Sequence, residues 1–354
     1  MLNPQDSHNR SIFSFGNPFR AISPKGSPAR HQLPPDLINL LNLFEDTLAS
    51  RMRKLMPKSK ADLTSFDWMK SSMSTLCGIQ GDIKNLISNL ELPITSWDEM
   101  WIEIYLDTTV KLLDLCIAFS SEIMRLSQGN FFVQCAVYNL EHNASKQPAQ
   151  ARASFDGWKK SICGKNPRMV NCSATLNSIA ETLDLPRGKT SGKGKVLMTG
   201  MNGVRVLTVF LCSVFATILS GDSKNMVELN VSESYTWAVS FLDLQAFTIE
   251  CLKTLLPERK AAILNELNVV DDSVNKLYPL VESDVQNDEF KESLSDLRRK
   301  MERLSNALEL LGKEVDGVFK MVMAGRDTLL GSLRSSTNLT AKSLGPYMKQ
   351  QPVA

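Results

Sequence analysis

The sequence predicts an all-α protein: a multi-helix bundle of long antiparallel helices behind a disordered N-terminal tail. Three observations carry this. From Pro35 to Arg334 apolar residues recur at helical spacing almost without interruption. No stretch shows apolar and polar residues alternating between hairpin dipeptides, so no sheet is expected. Pro57, Pro93 and Gly129 fall where the first three periodic runs are expected to stop.

The tail, residues 1–35, holds Pro4, Pro18, Pro24, Pro28, Pro34 and Pro35, a density of breakers that no helix tolerates. Asp6 is its sole acid, against Arg10, Arg20, Lys25 and Arg30. Acid-poor, Arg- and Ser-bearing N-termini resemble organelle transit peptides, here chloroplast-like, although so many prolines oppose an amphipathic helix. The tail lacks an apolar signal core, which argues against secretion. The alternatives are cytosol or an endomembrane surface. Phe13, Phe15 and Phe19 suit a short docking motif.

The first helical stripe runs through Leu37, Leu40, Leu41, Phe44, Leu48, Met52 and Leu55 and stops at Pro57. The second, from Phe66 through Met73, Ile83 and Leu90, ends before Pro93. A third is expected to start near Trp97, with Ser96 and Glu99 in capping-box spacing, and to stop at Gly129. Shorter helices follow at 131–142, 150–163 and 168–184. Together, residues 36–186 form an N-terminal helical half.

A basic, Gly-rich loop is expected over residues 187–195, reading RGKTSGKGK. It fails as a phosphate-binding loop, because the required first glycine position holds Leu183 and no buried strand precedes it. Beyond it lies the most apolar run, Val196–Leu219, interrupted by Gly200, Gly203 and Arg205. A bilayer needs about 20 apolar residues. Reaching that length places Arg205 within the membrane at a cost of about 2.5–3.5 kcal/mol. A central helix buried on all sides explains the same pattern better. The C-terminal half, 196–334, closes with a heptad seam: Phe290, Leu294, Leu297, Met301, Leu304, Leu308, Leu311, Val315, Val318 and Val322. Its flanks (Ser293, Ala307, Glu314, Ser305, Gly312, Phe319) carry little charge, which favours packing inside a bundle over a dimeric coiled coil. Residues 335–354 read as a flexible tail, and 36–334 as one domain.

Composition restricts the chemistry. Lys plus Arg number 40 against 38 acids, so nucleic acid is not an expected partner. The seven cysteines are scattered without a C-x-x-C pair, as buried free thiols would be in a reducing compartment. His8, His31 and His142 are the only histidines. No catalytic constellation, metal site or cofactor is expected.

Several segments resemble the plant BYPASS family: FGNPFR (Phe15–Arg20), SPKGS (Ser23–Ser27), RKLMPKSK (Arg53–Lys60), VKLLDLCIAFSSEIMRLSQG (Val110–Gly129), KGKVLM (Lys193–Met198), VRVLTVFLCSVFATILSG (Val204–Gly221), NKLYPL (Asn275–Leu280) and AGRDTLLGSLR (Ala324–Arg334). The resemblance runs in order from tail to Arg334 and implies a full-length member. It further implies a regulator of root and shoot development, of the kind that prevents roots from overproducing a mobile, carotenoid-related signal that arrests shoots. It carries no catalytic residues.

Three functions follow as expectations. One is a non-enzymatic regulator acting on unidentified protein partners, with Phe15, Phe19, Arg20, Lys189, Lys193 and Lys195 as contact residues. Another is a membrane-associated adaptor in trafficking or signalling, using the same lysines on an anionic surface. The third is an enzyme or binder in carotenoid-derived metabolism.

Overall fold

The computed structural model describes residues 33–91, 99–142, 148–183, 191–258, 262–282 and 288–343. Among these there is no strand. The helices are α1 (Pro35–Leu55), α2 (Lys60–Leu63), α3 (Phe66–Leu90), α4 (Glu99–His142), α5 (Pro148–Cys163), α6 (Cys172–Ala180), α7 (Gly192–Ser220), α8 (Ala238–Glu258), α9 (Asn265–Glu282) and α10 (Asp288–Ser343).

Local chemistry sets the first boundaries. Proline opens α1, where its missing N–H costs nothing. Ser65 caps α3 by accepting from the Trp68 N–H at 3.1 Å. The chain turns back so that α1 and α3 run antiparallel. Asp82 takes both ends of the Arg51 fork at 2.6 and 3.0 Å, and Trp68 Nε1 donates to the Leu55 carbonyl at 2.8 Å.

Helix α7 lies at the centre and packs on α1, α3, α4, α6 and α8. Its two glycines are close-approach points. A Cβ on Gly200 would stand 2.6 Å from Leu86 Cδ2, and one on Gly203 would stand 2.7 Å from Leu48 Cδ2. The helix is long and apolar enough to cross a membrane, yet 94% of its most apolar stretch is buried within the protein. Burial therefore accounts for the composition of Val196–Leu219. Gly221, left-handed at φ 66°, ends α7 by donating to the Thr217 carbonyl at 2.8 Å.

The C-terminal seam is buried from Phe290 to Val322. It packs within the chain, chiefly on α4 with α3 and α9. The register is antiparallel: Asn130 Nδ2 donates to the Met301 carbonyl at 3.3 Å, while Arg326 Nη1 donates to the Leu106 carbonyl at 2.9 Å. Helices α5 and α9 are joined by Trp158 Nε1 donating to Asp271 Oδ1 at 3.0 Å and by Tyr278 donating to Asp156 at 3.2 Å.

Several expected boundaries move. Gly129 does not stop α4, which continues to His142 and absorbs the helix expected at 131–142. The reason is packing: a Cβ on Gly129 would meet Ser161 Oγ at 2.6 Å, so glycine here lets α5 come close. The 168–184 helix is instead a 3₁₀ turn (Pro167–Met169) followed by the shorter α6. Of the 187–195 loop, Gly192–Lys195 already forms the first turn of α7, because Ser191 caps it through the Gly194 N–H at 3.1 Å. Residues 335–343, expected in a flexible tail, continue α10. The capping pair's Ser96 lies outside the described residues.

Candidate functional site

Of the six expected contact residues, Phe15, Phe19, Arg20 and Lys189 lie outside the described residues. Lys193 is exposed and Lys195 half-buried in the first turn of α7, which has no acidic residue. Both ammonium groups therefore add to the positive end of the helix dipole instead of offsetting it.

A second surface was not anticipated. On α4, Val110, Ile117, Met124, Phe131 and Tyr138 recur every seventh residue, each between 41% and 63% exposed. At 1.5 Å per residue this stripe extends about 42 Å. Its inner neighbours Leu112, Leu115, Phe119, Ile123, Leu126 and Val133 are buried, so α4 is apolar on two faces. A seven-residue period drifts about 20° per heptad around a straight helix, the left-handed track that a second helix follows in a supercoil. Beside the stripe, Glu103, Asp107 and Asp114 are exposed, and Lys111 neutralises Asp107 at 2.6 Å.

The third feature is internal. A cavity of about 50 Å³ lies between α3, α4, α6, α7 and α10. Gln80 and Tyr105 are half-buried on its wall, and Thr108, Thr109, Thr208 and Arg205 are buried. Arg205 is 7% exposed. Its Nη2 donates to the carbonyl and Oγ1 of Thr182 at 2.5 and 2.7 Å, while Nε and Nη1 have no acceptor among the described residues. Burial pulls its pKa down to about 10, so the side chain stays cationic at neutral pH. Thr208 and Thr109 donate to the Val204 and Leu106 carbonyls of their own helices, whereas the Thr108 hydroxyl has no partner among the described residues. Sequence reading noted Arg205 only as a membrane cost. Its cavity neighbours come from four other helices, which linear spacing cannot reveal.

The described residues offer little conventional chemistry. No three His, Cys, Asp or Glu side chains among them are grouped to hold a metal ion. The cysteines are free: Cys116, Cys172, Cys212 and Cys251 are buried, Cys77 and Cys135 half-buried, and Cys163 exposed. Burial pushes the Cys116 thiol up to about 12 and that of Cys172 to about 11, away from the thiolate a nucleophile requires.

The family described as Protein ROH1-like matches residues 29–155 and 143–333. The chain is 44% identical to Protein BPS1, chloroplastic, of Arabidopsis thaliana, covering 98% of this chain and 97% of that protein. It is 38% identical to UPF0496 protein 4 of Oryza sativa subsp. indica, over 86% of this chain and 65% of that one. It is 20% identical to Protein ROH1D of Arabidopsis thaliana, over 85% and 89% of the two chains. No solved structure matches.

Proposed function

The chain belongs to the ROH1-like family of plant proteins, as a BYPASS-type member, and we propose that it is a non-enzymatic regulator of plant development that acts by holding a helix of a partner protein. The observation that carries this mode of action is the exposed heptad stripe on α4. Soluble surfaces rarely leave large apolar groups aligned over such a length without a use. The period of seven matches an amphipathic helix laid along α4. Glu103 and Asp114 have no ion pair among the described residues, so a basic flank on the partner helix would complement them.

The developmental role is supported by likeness to BYPASS proteins along nearly the whole chain. The same likeness supports a finer reading, in which the regulator restrains a root-derived, carotenoid-related mobile signal that arrests shoots. The relative's name, chloroplastic, supports a plastid compartment. Mass-spectrometric mapping of the native N-terminus in plastid fractions tests that placement, and an intact terminus in cytosol would overturn it. Phe15, Phe19, Arg20, Lys189, Lys193 and Lys195 stay in the proposal as secondary contacts. Anionic membrane contact keeps the exposed Lys193 as support, but the buried α7 removes the reason for a spanning helix.

The experiment is rescue in plants lacking the native chain, using the wild type, Ile117→Glu/Met124→Glu, and Glu103→Lys/Asp114→Lys. Both variants alter exposed positions and are expected to fold, with unchanged melting temperature. The reading expects rescue by wild type alone, and cross-links from α4 to a basic helix of one partner that vanish in both variants. Full rescue by the stripe variant would sink it. A purified dimer that dissociates in the stripe variant would reassign the surface to self-association.

A further inference from the structure

We infer that the cavity around Arg205 is a binding site for the carboxylate of a small organic acid with an apolar body. This goes beyond the partner-helix reading and does not depend on it, since α4 lines the cavity with Tyr105, Thr108, Thr109 and Leu112, none of which belongs to the stripe.

A guanidinium withdrawn from water needs its N–H groups satisfied and its charge balanced. Here Arg205 is more than nine-tenths buried, Nη2 is occupied by Thr182, and Nε and Nη1 have no acceptor among the described residues. Among the described residues no carboxylate pairs with it. The charge is thus held ready inside a cavity and not spent on the fold. The second open polar group on the same wall is the Thr108 hydroxyl, able to donate to an anion. One cation plus one hydroxyl matches a single negative charge on a compact head. A phosphate dianion would bring more charge and more oxygens than these donors satisfy.

The remaining walls specify the rest of the ligand. Ile83, Leu112, Ile179, Val204, Val209 and Val322 present aliphatic surface from five helices. An acid with an alkyl body buries that surface as its head meets Arg205, the usual division of labour in a small-molecule pocket. A cavity of about 50 Å³ takes the head and first carbons, so the body must run out past the half-buried Gln80 and Tyr105.

The test uses the full chain in carboxylate-free buffer at neutral pH. Calorimetry and thermal unfolding are run with propionate, hexanoate and decanoate, with hexanol, and with sodium chloride and inorganic phosphate. Binding should strengthen from propionate to decanoate and be absent for hexanol. It should weaken about tenfold or more in Arg205→Met, and severalfold in Thr108→Val. Thr108→Val replaces an unpartnered hydroxyl with an isosteric methyl and keeps the test open should the Arg205 variant fail to fold. The inference is overturned by no carboxylate binding up to about 10 mM, or by equal binding to both variants and wild type. Shifts from chloride or phosphate matching those from hexanoate would equally overturn it, as an adventitious ion only.

Discussion

Replacing Arg205 with methionine should leave the stability of the unliganded protein within about 1 kcal/mol of wild type. The folded chain lowers the Arg205 pKa from 12.5 to about 10 through burial. At about 1.4 kcal/mol per unit, that depression amounts to roughly 3 kcal/mol against the fold. The sign follows from proton binding. As pH falls through 12.5 the unfolded chain takes the proton first, and the penalty grows until the folded group protonates near pH 10. Below that it is full and constant, so it is all present at pH 7. Against it stand the two bonds to Thr182, each worth about 1.5 kcal/mol for a charged donor, so the two terms nearly cancel. Methionine has similar reach, suits the aliphatic walls and removes both terms. Thr182 keeps its own bond to the Ile179 carbonyl at 2.8 Å.

Urea unfolding of wild type and variant at pH 7.5 measures the difference, with circular dichroism checking that helicity is unchanged. Loss of more than about 2 kcal/mol in the methionine variant would refute the reasoning, since breaking a needed buried pair costs about 3–5 kcal/mol. Arg205 would then be a tie between α7 and the end of α6, not a charge kept for a ligand. Alanine is the less informative variant, because it adds an enlarged cavity to either outcome.

Four further predictions rest on other parts of the bundle. Gly203→Ala should cost about 1 kcal/mol, overpacking against Leu48 and Trp237 exceeding the helix-propensity gain. Gly81→Ala, with nothing within 4 Å of its Cβ, should gain about 0.5–1 kcal/mol, and denaturant midpoints will separate the two. Glu266, its pKa raised by burial, accepts from the Phe66 N–H through Oε1 at 3.0 Å, and Oε2 has no partner among the described residues. The folded chain therefore keeps this proton to higher pH than the unfolded one, and stability falls as pH rises through that interval. Glu266→Gln retains the acceptor and should flatten that fall, visible in melting temperatures between pH 4 and 8. Iodoacetamide at pH 8 should label the exposed Cys163 well before Cys116, Cys172 and Cys212, as peptide mapping over time will show.

The sequence made some elements legible because one periodicity governs them. Leu37–Leu55 and Phe290–Val322 each place their apolar groups on one stripe and meet their neighbours along it, so α1 and α10 could be read from spacing. Glycine was harder, since the residue has two uses. At Gly221 it supplies a left-handed cap, but at Gly129 and Gly203 it supplies room for another helix. A linear reading cannot choose between a stop and a contact when the partner, Ser161 or Leu48, is far along the chain. Helices α8 and α9 announce no comparable seam and contain Pro257 and Pro279, which disguise them.

The functional features fail to show for two different reasons. The α4 stripe is written in the sequence at intervals of seven, but it lies on a helix whose inner face is also apolar, so the outer seam merges into an apparently continuous core pattern. Counting periods of seven separately from periods of three and four would have found it. The Arg205 cavity has no such linear signal. Arg205 in an apolar run reads equally as a membrane cost, a buried ion pair or a ligand group, and only the positions of Thr182 and Thr108 decide among them. Thr182 occupies one nitrogen without neutralising the charge, and Thr108 adds an open hydroxyl on the same wall. A charge that is hydrogen-bonded for orientation, with no carboxylate beside it among the described residues, is what an anion site requires and what a purely structural arginine avoids.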